Sequence, residues 1–232
     1  MPSPRKVSWH AHWWVLDLAA DTVAARGRFI TLEGGEGVGK STLIKSLTQY
    51  LRDAGTDVVV TREPGGTPGA EAVRSLLLNP PEDCNWSPLS QTLLFYAARA
   101  QHLEQVILPA LEQGRWVICD RFSDSTRAYQ IVAGGLDIGT LDEIDRMVVS
   151  HHQPDLTLIL DLPVEDAAKR RSDRGEPDDV FERKGVAFHR SVREAFLEIA
   201  RNHADRCAII DASGSPDEIL DESVRLIRER LT

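Results

Sequence analysis

Positive charge is what this chain has least to spare. Its 232 residues hold 27 Lys and Arg against 36 Asp and Glu, a formal net charge of −9. A nucleic-acid polymer is therefore excluded as the main partner, since such binding rests on cations facing phosphates. A phosphorylated small molecule is not excluded, because a local Arg cluster binds phosphate against an acidic background. Cysteine is scarce too. Cys84, Cys119 and Cys207 lie far apart, form no C-x-x-C and cannot all pair, which points to a reducing, cytoplasmic setting. Cys119 and Cys207 fall in strand-like apolar runs and read as core residues. No apolar run reaches transmembrane length, so no membrane partner is expected. Internal repeats and low-complexity tracts are absent, as is the N-K-x-D tetrapeptide with which a GTPase switch would read guanine. With 42% hydrophobic and 27% charged residues, the chain suits one domain with a sizeable core.

Residues 1–27 differ in composition from the remainder. They hold Trp9, Trp13 and Trp14, three of the five tryptophans. Arg5 and Lys6 before an apolar stretch resemble the start of a signal peptide, but His10, His12 and Asp17 interrupt that stretch. The segment reads as a loosely ordered extension or a mis-assigned start, and residues 28–232 as the domain. His10-x-His12 has no further metal ligand near it.

What the chain does contain is Gly34-Gly35-Glu36-Gly37-Val38-Gly39-Lys40-Ser41, which fits G-x-x-x-x-G-K-[ST]. An apolar strand from Arg28 to Glu33 precedes it. A helix from Ser41 to Tyr50 follows, with Leu43, Ile44, Leu47 and Leu51 on one face. Strand, glycine loop and helix aim main-chain N–H groups and a positive helix end at phosphate oxygens. The run Gly34 to Thr42 is thus expected to cradle the ATP phosphates. Lys40 reaches the β/γ-phosphates and the Ser41 hydroxyl binds Mg²⁺.

From there strand and helix alternate. Strands are predicted at 57–61, 115–119, 156–160 and 206–210. Helices are predicted at 70–78, 89–113, 123–132, 141–150, 164–172, 181–204 and 216–231, with a kink or restart at Pro109. A charged stretch around 172–183, containing Gly175 and Pro177, reads as a small mobile lid. Five apolar strands separated by helices imply an α/β fold, a five-stranded parallel sheet covered on both faces. Ligands of such sheets bind beyond the carboxyl ends of the strands. Polar residues gather at those ends: Glu33 to Lys40, Arg62-Glu63, Asp120-Arg121, Asp161 and Asp211.

These groups suit phosphoryl transfer, which needs charge neutralisation and in-line positioning rather than covalent chemistry. Arg121 can fork onto a phosphate, and Asp120 can orient it or hold Mg²⁺ through water. Arg174, beside Gly175, is placed to stabilise transition-state charge. Phe95 and Arg99, four apart on one helix face, can stack on a base and read its edge; the pattern taken alone favours a core Phe with a surface Arg.

In order, G-G-E-G-V-G-K-S, T-R-E-P-G-G-T, R-S-L-L-L, L-F-Y-A-A-R, D-R-F, S-T-R-A-Y-Q and P-D-L-T-L-I-L-D resemble thymidylate kinases of the bacterial kind, from about Arg28 to the C-terminus. The resemblance implies a P-loop nucleoside monophosphate kinase fold and phosphorylation of dTMP by ATP with Mg²⁺, in a homodimer built through long helices such as 89–113. It implies that Phe95 stacks on thymine, Arg99 donates to a thymine carbonyl and Ser125 contacts the base edge. Tyr129 would crowd the sugar 2′ position and Glu36 lie near the 3′-OH. Arg121 and Arg74 would meet the dTMP phosphate or its surroundings, Pro64 would follow a cis bond, and Arg174 would be the lid arginine. Phe122 departs from the commoner Tyr or His after Asp-Arg, and Asp178-Asp179-Val180-Phe181-Glu182 lacks a second lid arginine. Rival readings are another small-molecule kinase on the same fold and a nucleotide-binding regulatory module without turnover.

Overall fold

A computed structural model of the chain describes residues 26–132, 136–172, 180–181 and 183–231. The predicted extension lies outside these residues except for its last two, and so do Arg174 and most of the predicted lid. Five strands form one sheet in the order β2-β3-β1-β4-β5. They are β1 Phe29–Glu33, β2 Val58–Arg62, β3 Trp116–Asp120, β4 Leu156–Asp161 and β5 Cys207–Asp211. Every pairing is parallel, as in Leu32 opposite Asp120 and Leu32 opposite Leu158. Side chains alternate faces along a strand, and β1 shows the result. Ile30 and Leu32 pack with Leu43 and Leu47 of helix α1 (Lys40–Asp53) and Ile227 of α9 (Pro216–Leu231). Phe29 on the other face joins Leu103, Ile107 and Leu111, together with Leu141 and Ile144 of α6 (Ile138–Val148). A third cluster sets Ile159 and Cys207 against Tyr129 of α5 (Ser123–Val132) and Val192 and Phe196 of α8 (Val186–Asn202). Leu32, Leu47 and Phe29 are almost wholly buried, each worth roughly 1.5–3 kcal/mol in apolar burial.

Helix α1 leaves β1 on one face of the sheet, and α5 leaves β3 on the other. The neighbouring ends of β1 and β3 are therefore the point where the chain departs in opposite directions, where a crevice opens in folds of this kind.

Three helix predictions are corrected. The run 89–113 is not one α-helix. It consists of α3 (Pro88–His102), a π turn (Leu103–Ile107) and α4 (Leu108–Glu112). Pro109 has no N–H to give the carbonyl four residues back, and its ring crowds that carbonyl; the wider turn just before it makes room. α6 starts at Ile138 rather than Leu141, because the Asp137 side chain accepts from Thr140 N at 3.1 Å and caps it. The helix predicted from Phe181 starts only at Val186, after Gly185, leaving Phe181 in a turn with its ring buried. The remaining helices are α2 (Pro68–Leu78) and α7 (Val164–Ser172).

Candidate active site

Helix α1 begins without a side-chain cap. Its N-cap is Gly39, at φ 104°, a left-handed conformation that favours glycine. A Cβ on Gly37 (φ +80°) would come within 2.4 Å of the Ala167 carbonyl, so only glycine lets this loop lie against α7. The first amides of α1 are thus free to face an anion. Lys40 is 7% exposed, and its Nζ donates to the Gly35 carbonyl (2.9 Å) and more weakly to that of Gly34 (3.4 Å). Burial, and then Arg121, lower its pKa; Glu36, Asp120 and Glu33 oppose that.

Across the crevice, Arg121 follows β3 with φ 66°, a backbone conformation rare for a side-chain-bearing residue. Three bonds hold the turn: Arg121 N to the Leu32 carbonyl (3.0 Å), and Phe122 N (2.7 Å) and Ser125 N (3.3 Å) to Glu33 Oε1. The guanidinium Nη1 donates to the Gly34 carbonyl (3.0 Å) and Ser125 Oγ (2.8 Å). Nη2 donates to Glu36 Oε1 (2.6 Å), and lies 3.4 Å from the Tyr129 hydroxyl. That hydroxyl donates to the same Glu36 oxygen at 3.2 Å. Burial pushes the Glu36 pKa up, but Arg121 and then Lys40 overcome it and bring it to about 2, so Glu36 is a carboxylate. Glu33 goes the other way. It is fully buried, and desolvation followed by Asp124 raises it to about 7, against Arg121 and the bonds from Ser125 and Phe122. Asp120 Oδ1 is buried and has no hydrogen-bond partner among the described residues.

Farther out, α3 presents Phe95 and Arg99 one turn apart. Arg99 is 1% exposed, which corrects the alternative of a surface arginine. Its Nε donates to Glu63 Oε2 (2.8 Å) and its Nη2 to Thr126 Oγ1 (2.9 Å), while Nη1 is buried without a partner. The Glu63–Pro64 peptide is cis, and Arg74 Nη1 donates to the Pro64 carbonyl at 2.8 Å. The Phe181 ring lies 6.2 Å from Phe95 and 5.6 Å, edge-on, from Tyr129.

One cavity of about 570 Å³ joins these groups. Lys40, Ser41, Asp120 and Arg121 line it, and so do Phe95 and Arg99. A family model for thymidylate kinase matches residues 32–223. The chain belongs to the thymidylate kinase family. It is 49% identical over 206 residues to the thymidylate kinase of Caulobacter vibrioides, covering 89% of this chain and 98% of that one. The Bradyrhizobium diazoefficiens enzyme is 47% identical over 218 residues, 93% and 95% of the two chains. The crystal structure of thymidylate kinase from Ehrlichia chaffeensis superimposes with a TM-score of 0.69 at 33% identity, over 87% of this chain and 99% of that one. The reaction of this kinase is the ATP-dependent phosphorylation of dTMP to dTDP.

Most residues singled out in the sequence meet in that cavity: Glu36, Gly37, Gly39, Lys40, Ser41, Thr42, Pro64, Arg74, Phe95, Arg99, Asp120, Arg121, Ser125 and Tyr129 all line it. Gly34 and Gly35 take part through their carbonyls, and Val38 packs into the core. Asp161 and Asp211 do not join them. Asp161 takes a two-pronged bond from Arg193 (2.6 and 2.9 Å), and Asp211 accepts from Ser213 N. Sequence reasoning placed Glu33 at a strand end without giving it a role, and missed Thr126 and Phe181. It also missed a second cavity of about 370 Å³ behind the glycine loop, lined by Gly37, Gly39, Thr42, Arg170, Gly214, Pro216 and Ile219. Only the basic run Lys169-Arg170-Arg171 in the sequence hinted at Arg170, whose Nη1 donates to the Ala212 carbonyl at 3.0 Å.

Proposed function

We propose that dTMP fills the larger cavity with its base against Phe95 and its phosphate toward Lys40, and that ATP reaches it across the glycine loop. The observation that carries this is the placement of Lys40 and Phe95 in one cavity of about 570 Å³, a size ordinary for small-molecule sites. Gly37, Gly39 and Thr42 line both cavities. A triphosphate gripped by that loop therefore has its purine in the smaller one, beside Arg170, and its terminal phosphate facing dTMP.

In this reading Lys40 and the amides from Gly35 to Thr42 neutralise charge spread over the transferring phosphoryl group. Arg121 holds the acceptor phosphate. Glu36, freed from Arg121 when phosphate arrives, accepts from a sugar hydroxyl, and Tyr129 packs against the sugar. Ser125, tied to Arg121 and Glu33, and Arg99 face the base; Arg74 supports the Pro64 turn beside it. Arg174 is assigned to the closing lid on resemblance alone.

The residues present fit a Mg²⁺ ion. The buried, unpartnered Asp120 Oδ1 and the Ser41 hydroxyl share the cavity, and Mg²⁺ keeps waters and phosphate oxygens with one or two protein ligands. When bound, the ion supplies positive charge to the β/γ oxygens. The apolar stripe Leu89, Leu93, Ala97 and Ala100 on the exposed side of α3, with Leu76 nearby on α2, supports a homodimer through this face. No helix among the described residues is long and apolar enough to cross a membrane; a cytoplasmic enzyme with one domain over 28–232 accords with that.

The test is an acceptor panel with Mg·ATP, following ADP release. dTMP should be phosphorylated far faster than UMP or AMP, and faster than dUMP. Faster turnover of UMP or AMP would refute the thymine reading of Phe95 and Arg99.

A further inference from the structure

Behind Arg99 runs a chain of buried polar groups that phosphoryl transfer does not require. Glu63 is 5% exposed, Arg99 1% and His102 0%. One Glu63 oxygen takes Arg99 Nε at 2.8 Å, and the other takes His102 Nδ1 at 3.0 Å. A carboxylate only accepts, so Nδ1 is the donor. His102 Nε2 lies 2.6 Å from Thr61 Oγ1, which occupies the second ring nitrogen. The main chain closes over the ring: a Cβ on Gly66 would fall 2.5 Å from His102 Nε2. His102 is thus confined by backbone and bonded at both nitrogens, and it leaves Glu63 one orientation.

The consequence falls on Arg99. A guanidinium is a planar fork with five N–H donors. Fixing Nε on Glu63 and Nη2 on Thr126 (2.9 Å) fixes the plane, and with it Nη1. The rings of Tyr96 and Phe122, with centroids 4.5 and 5.0 Å from the guanidinium carbon, hold that plane further. Nη1 is buried and has no partner among the described residues, although Arg99 stands in the cavity wall with Phe95. A buried donor left open beside a binding cavity marks where a ligand acceptor belongs.

We propose that Glu63 and His102 are positioning residues: together they set the plane of Arg99 so that Nη1 presents one fixed donor to the 4-carbonyl of a pyrimidine base. This rests on the reading of Arg99 as a base contact. The chemical consequence is discrimination. Thymine places an acceptor at that position and cytosine a donor amino group, which a donor-only guanidinium rejects. A loosened Arg99 can swing away and tolerate cytosine. An ion pair that merely supports the fold would leave that choice untouched.

The experiment measures KM and kcat for dTMP and dCMP at 20 °C, with ATP affinity and melting temperature, in His102→Leu, His102→Asn, Glu63→Gln and Arg99→Lys. His102→Leu and Glu63→Gln should each raise KM for dTMP about tenfold with kcat within about threefold, and lower the dTMP-over-dCMP ratio of kcat/KM about tenfold. ATP affinity should not move. His102→Asn, which keeps an amide donor near the place of Nδ1, should recover most of the ratio. If His102→Leu does not fold, Glu63→Gln decides by the same ratio. Lower melting temperatures with KM and ratio unchanged in the Glu63 and His102 variants, while Arg99→Lys does shift the ratio, would overturn the positioning role alone. A ratio unmoved in Arg99→Lys would overturn the base contact and the positioning role together.

Discussion

Arg121 Nη2 lies 2.6 Å from Glu36 Oε1, so the cation proposed to grip the acceptor phosphate is held by a carboxylate of the glycine loop. The pair joins the end of β3 to the turn after β1, and the Tyr129 hydroxyl closes it at 3.2 Å. It is partly exposed, 15% and 22% on its two side chains, so an incoming phosphate can compete for the guanidinium. Arg121→Ala should lower kcat/KM for dTMP about 10³-fold, a loss typical of removing a charged transition-state contact. ATP binding, measured by calorimetry, should stay within a few-fold. An equal loss of ATP affinity would move Arg121 to the donor side.

Among the described residues Lys40 bonds to no carboxylate; its bonds go to the Gly34 and Gly35 carbonyls, which a triphosphate can replace. Lys40→Ala should therefore depress kcat by about 10²–10³ with a small change in KM for dTMP, because its charge counts most where negative charge is redistributed. Steady-state kinetics separate the two. A change confined to KM would make Lys40 a ground-state contact.

Phe95→Ala should raise KM for dTMP about ten- to thirtyfold with kcat nearly intact, in line with about 1–3 kcal/mol for a base stacked on an aromatic ring. The Phe181 ring, 6.2 Å from Phe95, lines the same cavity, so Phe181→Ala should act in the same direction. Unchanged KM in Phe95→Ala would place the base elsewhere.

Glu33 predicts a pH effect on stability. Its folded pKa of about 7 stands above the ordinary carboxyl value of 4.5, burial being the main cause. The folded state thus binds the proton more tightly than the unfolded state. The stability this contributes is complete below about 4.5 and falls as pH rises to about 7, by about 3 kcal/mol in all. Glu33→Gln cannot ionise, so between pH 5 and 8 its melting temperature should decline less than that of the parent. Parallel declines would show that Glu33 is not the titrating group.

Leu93 is 47% exposed and Leu89 44%, one helical turn apart on α3. Leu93→Glu should convert a dimer to a monomer in light scattering at micromolar concentration, since a buried interface disfavours an unpaired charge. A parent chain that is monomeric at that concentration would remove the dimer proposal.

Periodicity and punctuation made the framework legible before any coordinates. Apolar runs of strand length marked all five strands within a residue or so, and the glycine loop between strand and helix marked the phosphate end. The ordered motifs through Phe95-Tyr96-Ala97-Ala98-Arg99 named the family. The misses have physical causes. A π turn leaves no pattern that distinguishes it from an α-helix until Pro109 is seen to need room. Phe181 looked helical because its neighbours are, yet a ring inserted between Phe95 and Tyr129 depends on contacts remote in sequence.

Local order along the chain was enough to determine the elements, the anion-binding loop and the kind of reaction, because those depend on neighbours within a few residues. Which charges face one another was decided only by folding. Arg121 meets Glu36 across 85 residues, Arg99 meets Glu63 across 36, and Asp161 turns away to Arg193. Such pairings depend on where parallel strands end relative to one another, and sheet register is a property of the packed molecule rather than of any stretch within it.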